Sequence, residues 1–284
     1  MPSKPVIGFF FAYNHLQNLN TMNNIKPKGI DYNLFTGILN DLSYTRKTVI
    51  NTINQYSFCI AEADPSFKKA LQDSEILLPD GEGIVMAERI LSGKKIKKIS
   101  GAELHDHFLS TLARKKGRCF YLGSSPDTLA KIKANLDKQY PEIEAGFYSP
   151  PFKTEFTEQD NQDMIDAINA FEPEVLFIGL TAPKQEKWSH DHKEEINAKV
   201  ICAIGAVFDF YAGTVKRPSQ FMISMKMEWL GRLISEPKRM WRRYLYFGPV
   251  YLYHILKKKV SKSAPANHTK PFKLTNEFKI KKAS

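Results

Sequence analysis

The sequence predicts an α/β fold in which a parallel sheet is flanked by helices, followed by a basic amphipathic helical appendage at the C-terminus. From Thr48 onward, short apolar segments bounded by turns alternate with helical patterns. Those segments are apolar on both faces, as strands are when helices cover both sides of a sheet. After Arg217-Pro218 the composition becomes amphipathic and basic. This order of elements is typical of a Rossmann-like body, in which ligands bind at the carboxyl ends of the strands.

Six segments have the apolar, often β-branched composition of strands. They are Thr48–Ile53, Ile76–Leu78, Arg118–Leu122, Ala145–Tyr148, Val175–Leu180 and Val200–Ile204. The helical patterns between them are Tyr56–Gln72, Ile84–Leu91, Gly101–Lys115, Thr128–Gln139, Thr157–Phe171 and Ala182–Ala198. Residues before Thr48 are weakly patterned, and we assign no structure to them.

The C-terminal region predicts two further helices and a tail. An amphipathic pattern covers Phe221–Ser235, and Glu236-Pro237 opens a second helix that runs to about Phe247, since proline is tolerated in a first turn. The chain is thus expected to divide into a catalytic α/β domain over 1–217, membrane-associating helices over 218–260 and a disordered basic tail over 261–284.

The positive charge of the chain is concentrated at its C-terminal end. The net charge is +11, and the segment from Lys226 to Ser284 holds 15 Lys and Arg against three Asp and Glu, so the preceding residues sum to −1. A neutral body with a basic end indicates docking to one anionic surface, which is either a membrane or a nucleic acid. The basic region is rich in Trp, Leu, Ile and Tyr at helical spacing, and this favours a membrane surface over nucleic acid.

Other sequence features set limits on the interpretation. No apolar run reaches the roughly 18 to 20 residues needed to span a bilayer, and the N-terminus lacks the pattern of a signal peptide. The three cysteines are far apart, as expected of free thiols in a reducing cytoplasm. The sequences His105-Asp106-His107 and His190-Asp191-His192 have side chains that diverge on a helix, so we expect solvated surface there and no metal.

Polar residues and glycines follow four of the predicted strands, where a parallel sheet would bring them to one rim. They are Thr52 and Asn54, Asp80 and Gly81, Gly123 to Ser125, and Gly179 to Gln185. Taken alone, an Asp in a Pro-Asp-Gly turn is as well explained by turn formation as by catalysis. The Gly-Ser-Ser-Pro-Asp turn is a weak signal for phosphate binding at a helix N-terminus. No Asp-x-Asp triplet, a common means of holding a metal against a nucleotide diphosphate, occurs in the chain.

Taken in order, several segments resemble the WecG/TagA/CpsF glycosyltransferase family. The segments are LLPDGEGIVMAERILSG, ISGAEL, FYLGSSPDTLAKIKANLDKQYPEI, LFIGLTAPKQEKW, AIGAVFDFYAGTVKRPS and MEWLGRLISEPKRMWRRYL. The resemblance implies a metal-independent, inverting transferase without a cofactor. It would move N-acetylmannosamine, or its uronic acid, from a UDP donor to polyprenyl-diphosphate-linked N-acetylglucosamine. The enzyme would be cytoplasmic and peripheral on the inner face of the cell membrane.

The resemblance also implies roles for individual residues. Asp80 matches the general base that takes the proton of the acceptor hydroxyl, and Thr52 and Asn54 match a polar pair in the same pocket. Gln185 and Asp209 match positions near the donor nucleotide.

Several charged and small residues complete the expected donor site. Gly123 and Ser124 lie in the candidate phosphate-binding turn. The appendage arginines that close over the diphosphate match Arg232, Arg239 and Arg242. Lys98 stands where the family usually has Arg, which keeps the charge but loses the bidentate fork.

Two alternatives remain open on the sequence alone. Within the family, the donor could be another UDP-sugar such as UDP-glucuronate, because the motifs indicate the type of reaction more than the identity of the donor sugar. Outside it, a Rossmann-like nucleotide- or nucleic-acid-binding module with a basic arm has the same broad organisation. The sequence does not fix the oligomeric state and leaves a homo-oligomer open.

Overall fold

The body is built on a six-stranded parallel sheet. The computed structural model describes residues 24–25, 30, 32–42, 44, 46–215, 222, 225 and 227–263. Its strands are β1 Asn24–Ile25, β2 Leu34–Phe35, β3 Thr48–Ile53, β4 Ile76–Pro79, β5 Arg118–Gly123, β6 Glu144–Tyr148, β7 Val175–Gly179 and β8 Val200–Ala203. The order across the sheet is β4-β3-β8-β7-β5-β6, and all five neighbouring pairs are parallel. The first two strands form a separate antiparallel pair. The predicted fold class is confirmed.

Helices follow most strands, and side-chain caps fix where several of them begin. The helices of the body are α1 Gln55–Ala63, α2 Pro65–Gln72, α3 Glu82–Ser92, α4 Gly101–Lys115, α5 Pro126–Gln139, α6 Glu158–Phe171, α7 Lys184–Asp191 and α8 Val207–Tyr211. Asn54, Ser100 and Thr157 form capping boxes at α1, α4 and α6, and Ser125 caps α5. These side chains satisfy N–H groups that a helix leaves unpaired in its first turn.

Two predicted helices are shorter in the structure. The pattern Tyr56–Gln72 is broken into α1 and α2 because Pro65 cannot continue a helix, and Asp64 caps α2 by accepting from the N–H of Phe67. The pattern Ala182–Ala198 was too long, since α7 begins only at Lys184, after a proline, and ends at Asp191.

Helices cover both faces of the sheet. On one face, α4, α5 and α8 pack over a cluster that contains Tyr121 and Phe177. On the other face, α6 and α7 pack over Leu122 and Ile178. Neighbouring residues of β5 and of β7 therefore point to opposite sides, and α5 and α7 leave these two adjacent strands toward opposite faces. A crevice between such strands is where ligands bind in open α/β sheets.

The appendage consists of α9 Glu228–Ser235, α10 Pro237–Trp241, a π-helical turn Arg242–Tyr246 and α11 Phe247–Ser263. The second predicted helix was expected to end near Phe247, whereas helical structure continues to Ser263. Tyr251 and Ile255 of α11 are buried in a third cluster, with Phe58 of α1 and Ile84 of α3.

Some expectations fall on other parts of the chain. Residues 1–23, most of 216–226 and all of 264–284 lie outside the described residues, and with them most of the expected tail. The first three residues of that tail, 261–263, belong to α11. Within the described parts, no helix is both long enough and apolar enough to cross a membrane. The three cysteines are free and buried.

Candidate active site

An open cleft lies at the carboxyl ends of β3 and β4, where the appendage passes over the body. Its volume is about 700 Å³, part of it open to solvent. Polar, charged and aromatic side chains line it: Asn54, Gln55, Tyr56, Asp80, Glu82, Lys98, Trp229, Arg232, Arg243 and Tyr244, together with Gly81. The cleft therefore joins residues from the two outermost strand ends on this side of the sheet to residues of the C-terminal helices.

Asp80 enters the cleft from the end of β4. The backbone N–H of Asp80 donates to the carbonyl of Ile53 at 2.9 Å, which ties the two strand ends together. Gly81 follows with φ of +131°, a conformation that side chains disfavour, and it caps the start of α3. The carboxylate is half-buried and stands beside the first turn of a helix, whose partial positive charge favours anions.

Asn54 lies at the end of β3, next to Asp80. The Oδ1 atom of Asn54 accepts from the N–H groups of Tyr56 and Ser57, both at 3.0 Å. Because the cap uses the amide oxygen, the amide nitrogen is the atom of this side chain that can serve a ligand. Thr52 is half-buried two residues earlier, opposite Leu78 in the register, and does not line the cleft.

Three cationic side chains line the same cleft: Lys98, Arg232 and Arg243. The guanidinium of Arg243 lies 4.6 Å from the centre of the Tyr56 ring, and that of Arg232 lies 5.1 Å from the centre of the Phe210 ring. The Nε atom of Arg232 is buried without a hydrogen-bond partner among the described residues. A buried donor of this kind is costly unless a ligand pairs with it.

The other two predicted arginines are placed differently. Arg242 is exposed and is absent from the lining of the cleft. The backbone of Arg239 lies in α10, and its side chain is outside the described part of the chain.

The predicted donor residues lie along the strand ends farther across the sheet. Gly123 ends β5 with φ of +115°, and a Cβ there would be 2.6 Å from the carbonyl oxygen of Gly179. Ser124 has φ of +62°, and its carbonyl accepts from the hydroxyl of Ser149 at 2.7 Å. Asp209 is half-buried in α8, at the same edge of the sheet. Gly123 and Ser124 thus lie at the carboxyl end of β5, beside β7, and none of the three residues lines the cleft at β3 and β4.

Gln185 is buried in the first turn of α7, beside Glu186. The Nε2 atom of Gln185 donates to Oε1 of Glu186 at 2.9 Å. The second oxygen of Glu186 and the amide oxygen of Gln185 are buried without a hydrogen-bond partner in the described structure. Burial raises the pKa of Glu186 to about 7, against the opposing effects of its hydrogen bonds and of the positive charge of Arg243. The positive charge of Arg243, which lines the cleft, therefore acts on this buried pair.

One of the two His-Asp-His sequences does not lie on the solvated surface that was expected. His105 is 1% exposed and not solvated, its Nε2 lies 2.7 Å from the hydroxyl of Tyr121, and burial lowers its pKa to about 3. His190 pairs with Asp73 across α2 and α7. No three His, Cys, Asp or Glu side chains converge on a point suited to a metal ion in the described residues.

Comparison with known proteins identifies the family. The sequence profile of the glycosyl transferase WecG/TagA/CpsF family matches residues 25–265. The chain belongs to this family. It is 31% identical to the N-acetylglucosaminyldiphosphoundecaprenol N-acetyl-beta-D-mannosaminyltransferase of Bacillus subtilis strain 168, over 75% of this chain and 81% of that protein.

Further relatives carry the same name. The protein of Bacillus spizizenii is 30% identical over 72% of this chain and 77% of its own length. The protein of Staphylococcus aureus strain MRSA252 is 25% identical over 76% of this chain and 82% of its own. The predicted family and the predicted glycosyltransferase class are confirmed.

Several residues of the cleft were not predicted. Tyr56, Trp229, Arg243 and Tyr244 line it, and each lies within a few residues of a predicted one. A signal for the appendage residues was present in the sequence. Phe247, Tyr251 and Ile255 recur every fourth residue, and this stripe marks the face of α11 that packs on the body.

Proposed function

We propose that this WecG/TagA/CpsF glycosyltransferase moves N-acetylmannosamine from UDP to the N-acetylglucosamine of a polyprenyl-diphosphate-linked acceptor. The proposal is supported by relatives named for that transfer, at 25–31% identity over about three quarters of the chain. The structural observation that carries it is a cleft at the strand ends that holds the Asp80 carboxylate together with the cationic side chains of Lys98, Arg232 and Arg243.

Asp80 acts as the general base in this proposal. The oxygen of an acceptor hydroxyl attacks the anomeric carbon of the donor, and the proton of that hydroxyl passes to the Asp80 carboxylate. The bond between the anomeric carbon and the diphosphate oxygen breaks, and UDP leaves with the electron pair. A single displacement of this kind inverts the anomeric carbon. Asn54, at the neighbouring strand end, is suited to orient a sugar hydroxyl or amide through its nitrogen.

Two of the three cationic side chains, Lys98 and Arg232, stabilise the negative charge that develops on the departing diphosphate. Fixed positive groups act strongly in a partly closed cleft because they need not reorganise during the reaction. The unpaired Nε of Arg232 is the donor best prepared to meet a phosphate oxygen. With this charge supplied by side chains, we propose that transfer needs no metal ion, so that activity persists in EDTA.

The nucleotide is proposed to lie in the crevice between β5 and β7, near Gly123, Ser124, Gln185 and Asp209. The absence of a side chain at Gly123 lets the two strand ends approach closely, and the N-terminus of α5 favours an anion there. From this crevice the donor extends across the ends of β7 and β8 toward Asp80.

Attachment to a membrane surface is proposed for the outer face of α11. Leu252, Leu256 and Val260 recur every fourth residue and are 42%, 48% and 68% exposed, and Lys257 and Lys259 are exposed beside them. Apolar side chains flanked by lysines suit the boundary of an anionic bilayer, where each lysine contributes on the order of 1 kcal/mol. The enzyme would act there as a peripheral protein on the inner face of the cell membrane.

The experiment that tests the function is a donor panel. The full chain is incubated with UDP-N-acetylmannosamine, UDP-N-acetylglucosamine or UDP-glucuronate and a synthetic lipid-diphosphate-N-acetylglucosamine, and both released UDP and product mass are measured. We expect turnover with UDP-N-acetylmannosamine. Faster transfer from UDP-glucuronate would reassign the donor, and absence of transfer from every donor would refute the proposal.

A further inference from the structure

Four side chains of the appendage line the cleft, and we call three of them, Trp229, Arg243 and Tyr244, the appendage wall. Contacts made by the residues that follow Tyr244 in the chain hold this wall against the body. Phe247 packs edge-on against Tyr56 with ring centres 5.0 Å apart, and the hydroxyl of Tyr251 donates to the carbonyl of Gly83 at 3.0 Å. The wall is therefore attached to α1 and to the first turn of α3, which are the elements that carry Asn54 and Asp80 at their starts.

The π-helical turn Arg242–Tyr246 decides which side chains reach the cleft. A π turn holds more residues than an α turn and shifts the side chains that follow it. Arg243 and Tyr244 are consecutive, yet both line the cleft, while Arg242 is exposed. The turn thus delivers one cation and one aromatic ring to the same wall.

The aromatic pair offers a surface for a sugar ring. Trp229 and Tyr244 lie with ring centres 6.1 Å apart and planes inclined by 65°, and Trp229 remains 42% exposed. Aromatic rings combine a large apolar face with a polar group at the edge. A hexose has the complementary arrangement, because its C–H groups form an apolar face and its hydroxyls surround the ring.

Arg243 offers a site for a phosphate close to that surface. Its guanidinium is stacked on Tyr56 at 4.6 Å, and Tyr56 is itself held at the start of α1 by the Asn54 cap. The edge of a guanidinium has donors spaced to bind two oxygens of one phosphate, and stacking on a ring occupies only its face. Sugar and phosphate sites side by side match a sugar linked to a diphosphate.

The position of this wall favours the acceptor over the donor. The crevice between β5 and β7 is three strand spacings from the midpoint of β3 and β4, or about 14 Å. A nucleotide in the crevice would therefore approach Asp80 from the side of β7 and β8. The appendage wall continues into α11, whose outer face carries the exposed Leu252, Leu256 and Val260, so a lipid-linked acceptor would enter the cleft along this wall.

We propose that Trp229, Arg243 and Tyr244 form the acceptor subsite. The aromatic pair contacts the apolar face of the acceptor's terminal N-acetylhexosamine, and Arg243 binds the phosphate attached to it. This inference rests on the proposed function, because it assigns the acceptor of that same reaction.

The test is steady-state kinetics with a short-chain, water-soluble diphosphate-linked N-acetylglucosamine. We expect Arg243→Gln to raise the KM for the acceptor about ten- to a hundredfold, as expected for a lost charge-assisted hydrogen bond, and to leave the donor KM unchanged. Trp229→Ala is expected to raise the acceptor KM about tenfold. The matched controls are Lys238→Gln and Trp241→Ala, which are exposed residues of α10 outside the cleft, and both should behave as the parent enzyme.

A second acceptor separates binding from a purely structural effect. When an uncharged alkyl glycoside replaces the diphosphate, the difference between Arg243→Gln and the parent should vanish, while the Trp229→Ala effect should persist. A rise in donor KM alone, or a loss of kcat with both KM values unchanged, would overturn the assignment.

Calorimetry with the acceptor alone measures acceptor binding without the transfer reaction, so the proposed subsite can be tested separately from the proposed function. If the parent transfers from no donor, acceptor binding that Trp229→Ala or Arg243→Gln weakens still supports the subsite. Equal binding by both variants and the parent refutes it. Thermal unfolding of each variant checks that the appendage stays in place.

Discussion

Glu186 should make the folded protein less stable as the pH rises through neutrality. The pKa of this fully buried carboxyl is raised from 4.5 to about 7, chiefly by burial. The folded state therefore holds a proton that the unfolded state loses between these two values, and stability falls as the pH rises across that window. One pKa unit corresponds to about 1.4 kcal/mol, so the difference of about 2.5 units costs about 3 kcal/mol above pH 7 and nothing below pH 4.5.

Glu186→Gln removes the titrating group while keeping the acceptor for the amide of Gln185. We expect the variant to gain stability relative to the parent between pH 5 and pH 8, by at most about 3 kcal/mol. The hydrogen bonds of the new amide change the free energy of unfolding of the variant by the same amount at both pH values, so they do not affect this difference. The measurement is urea unfolding of both proteins at the two pH values, with equal m-values required before midpoints are compared.

The control is Glu142→Gln, which removes an exposed carboxyl between α5 and β6. Its effect should be nearly the same at pH 5 and pH 8. If the difference between Glu186→Gln and the parent is also the same at both values, burial does not hold the Glu186 proton, and the electrostatic reasoning about this pair is refuted.

Three further outcomes are expected. Asp80→Asn should lower kcat about 10²- to 10⁴-fold with UDP affinity retained, and a near-normal kcat would leave Asp80 with a turn role only. Gly123→Ala should cost about 1–3 kcal/mol in urea unfolding, since its Cβ would meet the backbone of β7; unchanged stability would show that the two strand ends are not tightly packed. Replacing Leu252 and Leu256 with Ser should weaken binding to anionic vesicles without changing transfer to a soluble acceptor. The control is Ile38→Ser, at an exposed apolar residue of the body, and it should leave both vesicle binding and transfer unchanged.

The sheet could be predicted because its strands are apolar on both sides. Val175–Gly179 and Val200–Ala203 are almost wholly buried, so neither has a polar face to obscure its limits. Parallel pairing then brings the strand ends together, and this is why Asn54 and Asp80 were correctly expected to be neighbours. In the register, Ile53 is paired with Pro79, the residue just before Asp80.

The appendage could be predicted only in outline, because the direction in which its helical side chains point is reset twice along the chain. Pro237 interrupts the helical repeat, and the π turn then shifts it by a fraction of a turn. Helical spacing read from the sequence alone foresees neither change. His105 was misjudged for a related reason, since spacing describes how two side chains diverge but not which of them meets the core.

The packing of α11 limits what a truncation of the appendage can reveal. Tyr251 and Ile255 are 3% and 1% exposed, and they fill a cluster with α1 and α3. Removing the appendage would expose this apolar surface and remove Arg232 and Arg243 together, so loss of activity would not separate attachment from catalysis. In the proposed function, the two roles fall on different parts of the appendage. Substitutions confined to the outward residues of α11 can therefore test attachment, while the inward cation at Arg243 tests the site.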